Sequence, residues 1–300
     1  MALATEVNGA TAWAASRFAE RLIATSFAVR WPSPLMHRAV FMASDQHFQL
    51  YVHFLTREIR SRYLGSLSGL AWTLLHPVAL LALYATVFVQ IFAARIPEAG
   101  EHGFVAYVAV GFWAWTMFAE GLGRASTAIQ DHAGLIGKVA LPTEILVLAS
   151  VSASFCVHLL GYVVVLILLR VFGVDWHFSG LPVTILALIT LFMLTLGLSF
   201  WAAASQVFVR DLSQILGQLL AFGFFLTPIL YSRSMLPEFA RDWMDLNPLG
   251  YYPERLREAL LSGHWQPQWS DLKASLIAAG VLLFGLWYFR RLRRHFEDFL

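Results

Sequence analysis

Six stretches of this chain are too long and too apolar for ordinary surface helices, and they constrain the fold more than any other feature. A membrane-spanning helix needs roughly 20 mostly apolar residues. Such stretches occupy approximately 70–92 (LAWTLLHPVALLALYATVFVQIF), 104–122, 144–171, 181–203, 212–231 and 272–290. They could be spans or the buried helices of a large soluble core, and composition decides between these. The chain is 58% hydrophobic and 13% charged, whereas a soluble domain carries about 25% charged residues. The expected fold is all-α and integral to a membrane, with six transmembrane helices.

The basic residues orient the spans. With the N-terminus inside, the cytoplasmic side collects fourteen of the 21 Lys and Arg, including Arg57, Arg60, Arg62, Arg124, Lys138 and the RRLRR run that begins at Arg290. The positive-inside rule then places both ends in the cytoplasm. Residues 1–46 lack sustained periodicity and are broken by Pro32 and Pro34, so they are expected to form a cytoplasmic tail with little structure. No charged leader runs into a short apolar core and a small-residue cleavage site, so no cleaved signal peptide is expected. Residues 47–64 differ: Phe48, Tyr51, Val52, Leu55 and Ile59 recur at helical spacing, opposite Gln49, His53, Arg57 and Arg60. This predicts an amphipathic helix, too polar to span, lying at the membrane surface. Residues 65–295 then form the six-helix domain. Between spans five and six, Pro and Gly positions in the outer loop suggest two short helices, near 235–244 and 252–262, dipping into the interface.

Several chemistries are excluded or disfavoured. A net charge of +2 does not suit a nucleic-acid binder. The single cysteine, Cys156, allows no disulfide framework, and the ten histidines form no HxxH or HExxH pattern. GLIGKV at 134–139 lacks the glycine spacing and the Ser/Thr of a phosphate loop, so the chain is not expected to hydrolyse ATP alone. The ionisable or polar groups inside spans, His76, Gln90, Glu120 and His158, are scattered. Glu120 and Arg124, four residues apart, are expected to pair on one helix.

Aromatic residues are concentrated in three spans. Span one carries Trp72, Tyr84, Phe88 and Phe92; span two Phe112, Trp113, Trp115 and Phe118; span five Phe222, Phe224, Phe225 and Tyr231. Interfacial belts and lipid-facing packing explain many of them. The alternative is a channel lining, since aromatic faces match the C–H faces of sugar rings without fixed charge. From this set the candidate lining comprises Trp72, Tyr84, Phe88, Phe92, Trp113, Trp115, Phe222, Phe225 and Tyr231.

In this order, REIRSRYLGSLSGLAWTLLHPVALLALYATVF (57–88), GFWAWTMFAEGL (111–122), LIGKVALPTEIL (135–146), FVRDLSQIL (208–216) and LTPILYSRSMLPE with LNPLGYYPERLREALLSG (226–263) resemble the ABC-2 type permeases that export polysaccharides, the O-antigen and teichoic-acid group. The resemblance covers about residues 48–295. It implies a homodimer with two copies of a separate ATPase subunit, which binds ATP and Mg; this chain needs no cofactor of its own. It implies that residues 124–142 are a coupling segment receiving the ATPase stroke, with Arg57, Arg60, Ile129, Asp131, Leu135 and Lys138 as candidate contacts. It implies that 232–270 is a periplasmic gate region of short re-entrant helices, with Trp243, Asn247, Pro248, Tyr251 and Arg255 as candidate gate residues. Arg62 is the candidate for a lipid headgroup. The implied cargo is a lipid-linked polysaccharide moved across a bacterial inner membrane. Two other readings compete: a multispan membrane enzyme acting on a glycolipid, with Asp242, Asp245, Glu254 and Glu258 as its only plausible acids, and a scaffold subunit without transport.

Overall fold

A computed structural model describes residues 34–63, 69–91, 97, 99, 103–136, 138 and 141–300, and the side chains of most residues in these ranges from Gln46 onward. Two compact units divide at Phe48 and Gln49. Of the first, residues 34–48 are described and are helical. Of the second, every element is a helix or turn, and no β-strand occurs among the described residues.

Helix α1 spans Pro34–Tyr63. Helix α2 (Gly69–Ala85) contains Pro77 and widens into a π-helical segment, Thr86–Ile91. Helix α3 is Gly103–Asp131, α4 is Glu144–Val171 and α5 is Leu181–Phe208. Pro182 lies in the first turn of α5, a position it tolerates. Helix α6 is Leu212–Leu226, and the short α7 (Glu238–Asp245) and α8 (Tyr251–Leu260) follow. Helix α9 is Trp269–Leu292, extended by a 3-10 turn over Arg293–Asp298.

Among the described residues, four helical stretches are long and apolar enough to cross a membrane: Gly103–Asp131, Glu144–Val171, Phe178–Phe208 and Trp269–Asp298. Two shorter apolar helices, Leu75–Ile91 and Leu212–Leu226, stand where spans one and five were expected. Span five ends earlier than its apolar composition suggests. Pro228 disfavours helix at the preceding residue, and Thr227 is extended, at φ −104° and ψ 140°. Span two instead runs longer. Helix α3 passes through Arg124 to Asp131 without a break, so the first part of the expected coupling segment 124–142 continues span two. The hydroxyls of Ser126 and Thr127 bond back to the carbonyls of Gly123 and Arg124, which satisfies them inside the helix.

Helix α3 is the central element, with Val108, Val110, Trp113 and Ala125 wholly buried. It packs against α4 and α5, and α5 packs along α9. Gly197 makes that last contact possible: a Cβ there would sit 2.6 Å from the backbone of Val281 and Leu282. Close backbone approach through small residues is the usual way apolar helices pack in lipid. At the other end of the bundle Arg293 donates to Glu144 at 2.6 Å, joining the C-terminal turn to the start of α4.

The face that helix α1 packs against the bundle overlaps its apolar stripe only in part. Phe54 is buried, at 7% exposure, with Leu50, Tyr51 and Leu55 packed beside it. Phe48 and Val52 are exposed. The row Leu50–Phe54–Glu58 lies against α3 and α4, and Phe54 meets His132 edge to face at 5.6 Å. A surface helix has two neighbours, the bilayer and the bundle, and one apolar stripe cannot say which side meets which.

Candidate functional site

Three groupings of side chains stand out in the bundle. The first is aromatic and joins α2, α3 and α6. The Tyr84 ring stacks on Phe224 at 5.8 Å and meets Phe112 edge-on at 5.9 Å. Phe112 and Trp115 each meet Phe224, at 6.0 and 6.1 Å, and Trp115 reaches Phe118 at 5.5 Å. Gly223 admits the indole: a Cβ there would lie 2.9 Å from the Trp115 ring. Phe88 stacks on Phe104 at 5.7 Å. The geometry therefore gathers Tyr84 and Trp115 around Phe112, Phe118 and Phe224, three rings absent from the candidate lining. Phe222 and Phe225 point outward, 66% and 62% exposed. Tyr231 donates its hydroxyl to the Phe225 carbonyl at 2.6 Å. Trp113 is wholly buried and donates to the His158 carbonyl at 2.8 Å. The side chains of Trp72 and Phe92 lie outside the described residues.

The second grouping is a cleft of about 340 Å³ between α1 and the facing ends of α3 and α4. Its polar lining includes Arg57, Glu58, Arg124, Asp131 and His132, and Phe54 lines it as well. Arg124 donates to Glu58 at 2.8 and 3.3 Å, so its acidic partner is on α1. Glu120 instead places its carboxylate 2.6 Å from His158 Nε2 on α4. The expected pairing of Glu120 with Arg124 followed the local four-residue rule; both residues found partners on other helices. Thr127 donates to Asp131 at 2.9 Å, and His132 Nδ1 donates to the Ala128 carbonyl at 2.9 Å. Arg57, Arg60, Asp131 and Lys138 are exposed and Leu135 is half-buried, whereas Ile129 is fully buried. The side chain of Arg62 lies outside the described residues.

The third grouping clamps α8. Residues two apart on a helix point to nearly opposite sides, and both Arg255 and Arg257 are buried. Arg257 donates to the carbonyls of Tyr107, Pro228 and Ile229 at 2.7, 2.7 and 2.8 Å, and its guanidinium lies 3.6 Å over the Tyr107 ring. It thus ties α8 to α3 and to the chain just after the break in α6. Burial pushes its pKa down to about 10, while Tyr107 and Glu254 pull it back up, so it stays protonated at neutral pH. Gly111 provides its space, since a Cβ there would lie 2.5 Å from the guanidinium. Arg255 forms a two-pronged pair with Asp271, at 2.7 and 2.9 Å, and also donates to the Gln266 carbonyl. Tyr251 donates to the same carboxylate at 2.7 Å. Asp271 also accepts from the Gln268 N–H and so closes the N-terminus of α9.

Among the candidate gate residues, Asn247 holds the end of α6 by donating to Leu226 and Thr227, both at 3.2 Å, and Pro248 lies beside it on a cavity wall. The Trp243 side chain is outside the described residues. Sequence reading passed over Arg257 and Asp271. Asp271 left a trace, an acid three residues after Gln268 at the head of an apolar run. The partners of Arg257 are 28 to 150 residues away and left none. Among the described residues no group of His, Cys, Asp and Glu could hold a metal ion.

Described residues that are all helix or turn, a largely apolar composition and an aromatic interior have the makings of a multi-pass membrane protein. The chain belongs to the ABC-2 type transporter family, which matches residues 49–261. It is 32% identical over 244 residues to the O-antigen export system permease protein RfbA of Myxococcus xanthus, covering 80% of this chain and 90% of that protein. A protein of the same description from Klebsiella pneumoniae is 24% identical over 258 residues, covering 84% and 95%.

Proposed function

We propose that this chain is the permease subunit of an ATP-driven exporter that moves a lipid-linked, O-antigen-like polysaccharide from cytoplasm to periplasm. The observation that carries this reading is the likeness to O-antigen export permeases over four fifths of the chain. Two copies of the chain would form the path and two copies of a separate ATPase would drive it, binding the ATP and Mg. The protein would lie in the bacterial inner membrane with both termini in the cytoplasm. Helices α2, α3, α4, α5, α6 and α9 would be the six spans, and the part of α1 in the second unit would lie at the cytoplasmic interface. Helices α7 and α8 would form the re-entrant gate on the periplasmic side.

The ATPase would dock on the exposed residues around the cleft: Arg57, Arg60, Asp131, Leu135 and Lys138. The Arg124–Glu58 pair gives α1 a direct handle on α3, so a push on either reaches the aromatic cluster between α2, α3 and α6. Phe222 and Phe225, exposed on α6, would line the path beside the partner copy together with Tyr231. Aromatic rings let sugar rings slide without a fixed charge to hold them.

The test is complementation. A strain lacking its own O-antigen permease receives this chain with its cognate ATPase, and surface glycan is measured by lectin labelling. Restored labelling that needs both proteins and an intact ATPase site supports the reading. Restoration with an inactive ATPase, or glycolipid turnover by the purified chain alone, contradicts it.

A further inference from the structure

The RRLRR run at the end of α9 divides into two pairs of arginines. Arg293 donates to Glu144 at 2.6 Å, and Arg290 lies 3.5 Å from the same carboxylate. These two tie the C-terminal turn to α4. Arg291 and Arg294 are exposed and make no side-chain hydrogen bond or ion pair among the described residues. Glu297 and Asp298 follow in the turn, exposed and outside ion-pair distance of either. The turn itself is docked. Phe296 is buried and meets Phe289 edge to face at 5.3 Å, and Phe299 meets Phe208 at 4.8 Å. Two cations without a counter-charge are thus held on a packed support.

What they face follows from the rest of the helix. Among the described residues α9 is the least enclosed of the long helices: 22% of its most apolar stretch is buried, against 78, 56 and 50% for α3, α4 and α5. Its open side carries Leu276, Leu283 and Trp287, which are 64, 68 and 61% exposed. Arg291 and Arg294 come four and seven residues after Trp287, spacings that keep to one helix face. Aliphatic side chains, then tryptophan, then arginine is the order in which a span leaves hydrocarbon, crosses the interface and reaches the headgroups. A guanidinium fork matches the oxygens of a phosphate. A zwitterionic headgroup gains less here, because its ammonium would stand beside two cations.

We infer that Arg291 and Arg294 bind the phosphate of an anionic phospholipid from the bilayer, whose acyl chain runs along Trp287, Leu283 and Leu276. Bound there, the lipid would neutralise the outward pair and fasten to the membrane the same turn that Glu144 fastens to α4. The inference rests on membrane insertion of α9 alone and not on the identity of the cargo or of the ATPase.

Native mass spectrometry of the full-length protein, released from nanodiscs of equal phosphatidylethanolamine and phosphatidylglycerol, tests it. The wild type is expected to retain phosphatidylglycerol in preference. Arg291→Gln and Arg294→Gln should each lower that retention roughly fivefold, the effect of one cation at a charged membrane surface. Arg291→Lys combined with Arg294→Lys keeps both charges and should keep most of the retention. Both arginines are exposed and unpaired, so the unfolding midpoint of the lipid-free variants in detergent should match that of the wild type. Equal retention of the two lipids by the wild type would overturn the inference, as would a phosphatidylglycerol preference unchanged in the double glutamine variant. Loss of self-association or of ATPase binding in that variant, with its lipid preference intact, would assign the arginines to a protein partner and overturn it too.

Discussion

Arg257 is the residue that holds α8 against the bundle. A buried guanidinium costs a great deal to desolvate and persists only when its donors are satisfied. Here three carbonyls and an aromatic face do that, and two of those carbonyls lie just past the C-terminal end of α6, where the helix dipole is negative. Replacing Arg257 by Met should cost about 2–4 kcal/mol by leaving those carbonyls without a donor. Thermal unfolding in detergent would register it. Gly111→Ala should produce the same kind of loss from the opposite side, because its Cβ would collide with the guanidinium. An unchanged midpoint for both variants would mean that the clamp is ornamental. Arg257→Lys should fall between, since an ammonium cannot reproduce the planar fork.

At the scale of elements, the question is how α1 communicates with the bundle. Phe54 gives adhesion and the Arg124–Glu58 pair gives direction. The pair is partly exposed, so it adds little to stability. Its role would be mechanical. Glu58→Arg or Arg124→Glu alone should lower ATP-coupled export severalfold while leaving the unfolding midpoint nearly unchanged. The double reversal should restore much of the export. Equal export in all four proteins would remove the pair from the coupling route. Ile129 belongs to another category. It is wholly buried against α4 and α5, so Ile129→Asp should cost about 4 kcal/mol or more and abolish expression of folded protein, not merely uncouple it.

The same scale shows what could be read from the chain alone. Hydropathy is a one-dimensional signal, so the six expected spans fall close to four long and two shorter apolar helices among the described residues. The early end of α6 was missed, since span five was expected to run to 231, although Pro228 marks the break. The buried face of α1 was legible only in part, because Phe54 and Val52 are both apolar and only a neighbour distinguishes them. Local rules failed where distant partners were better: Arg124 had an acid four residues back yet met Glu58, 66 residues away. Of the aromatic candidates, Tyr84 and Trp115 fell into one cluster. Its centre, Phe224, was left out because nothing in the spacing separates it from its neighbour Phe225.

For the whole molecule, the account needs exposed aromatics to serve transport and buried ones to serve packing. Phe222→Ala and Phe225→Ala should reduce export while the protein still assembles, whereas Trp113→Ala should lose folded protein by removing a buried indole and its bond to α4. The most direct measurement is transport itself. Proteoliposomes containing this chain and its ATPase, with lipid-linked O-antigen-type glycan on the ATPase side, are supplied with ATP and Mg. Glycan is expected to become accessible to a membrane-impermeant glycosidase in the lumen, with ATP required and none delivered by a chain lacking its ATPase. Glycan delivered without ATP hydrolysis, or ATP hydrolysis stimulated by glycan with none delivered, would contradict the transport reading.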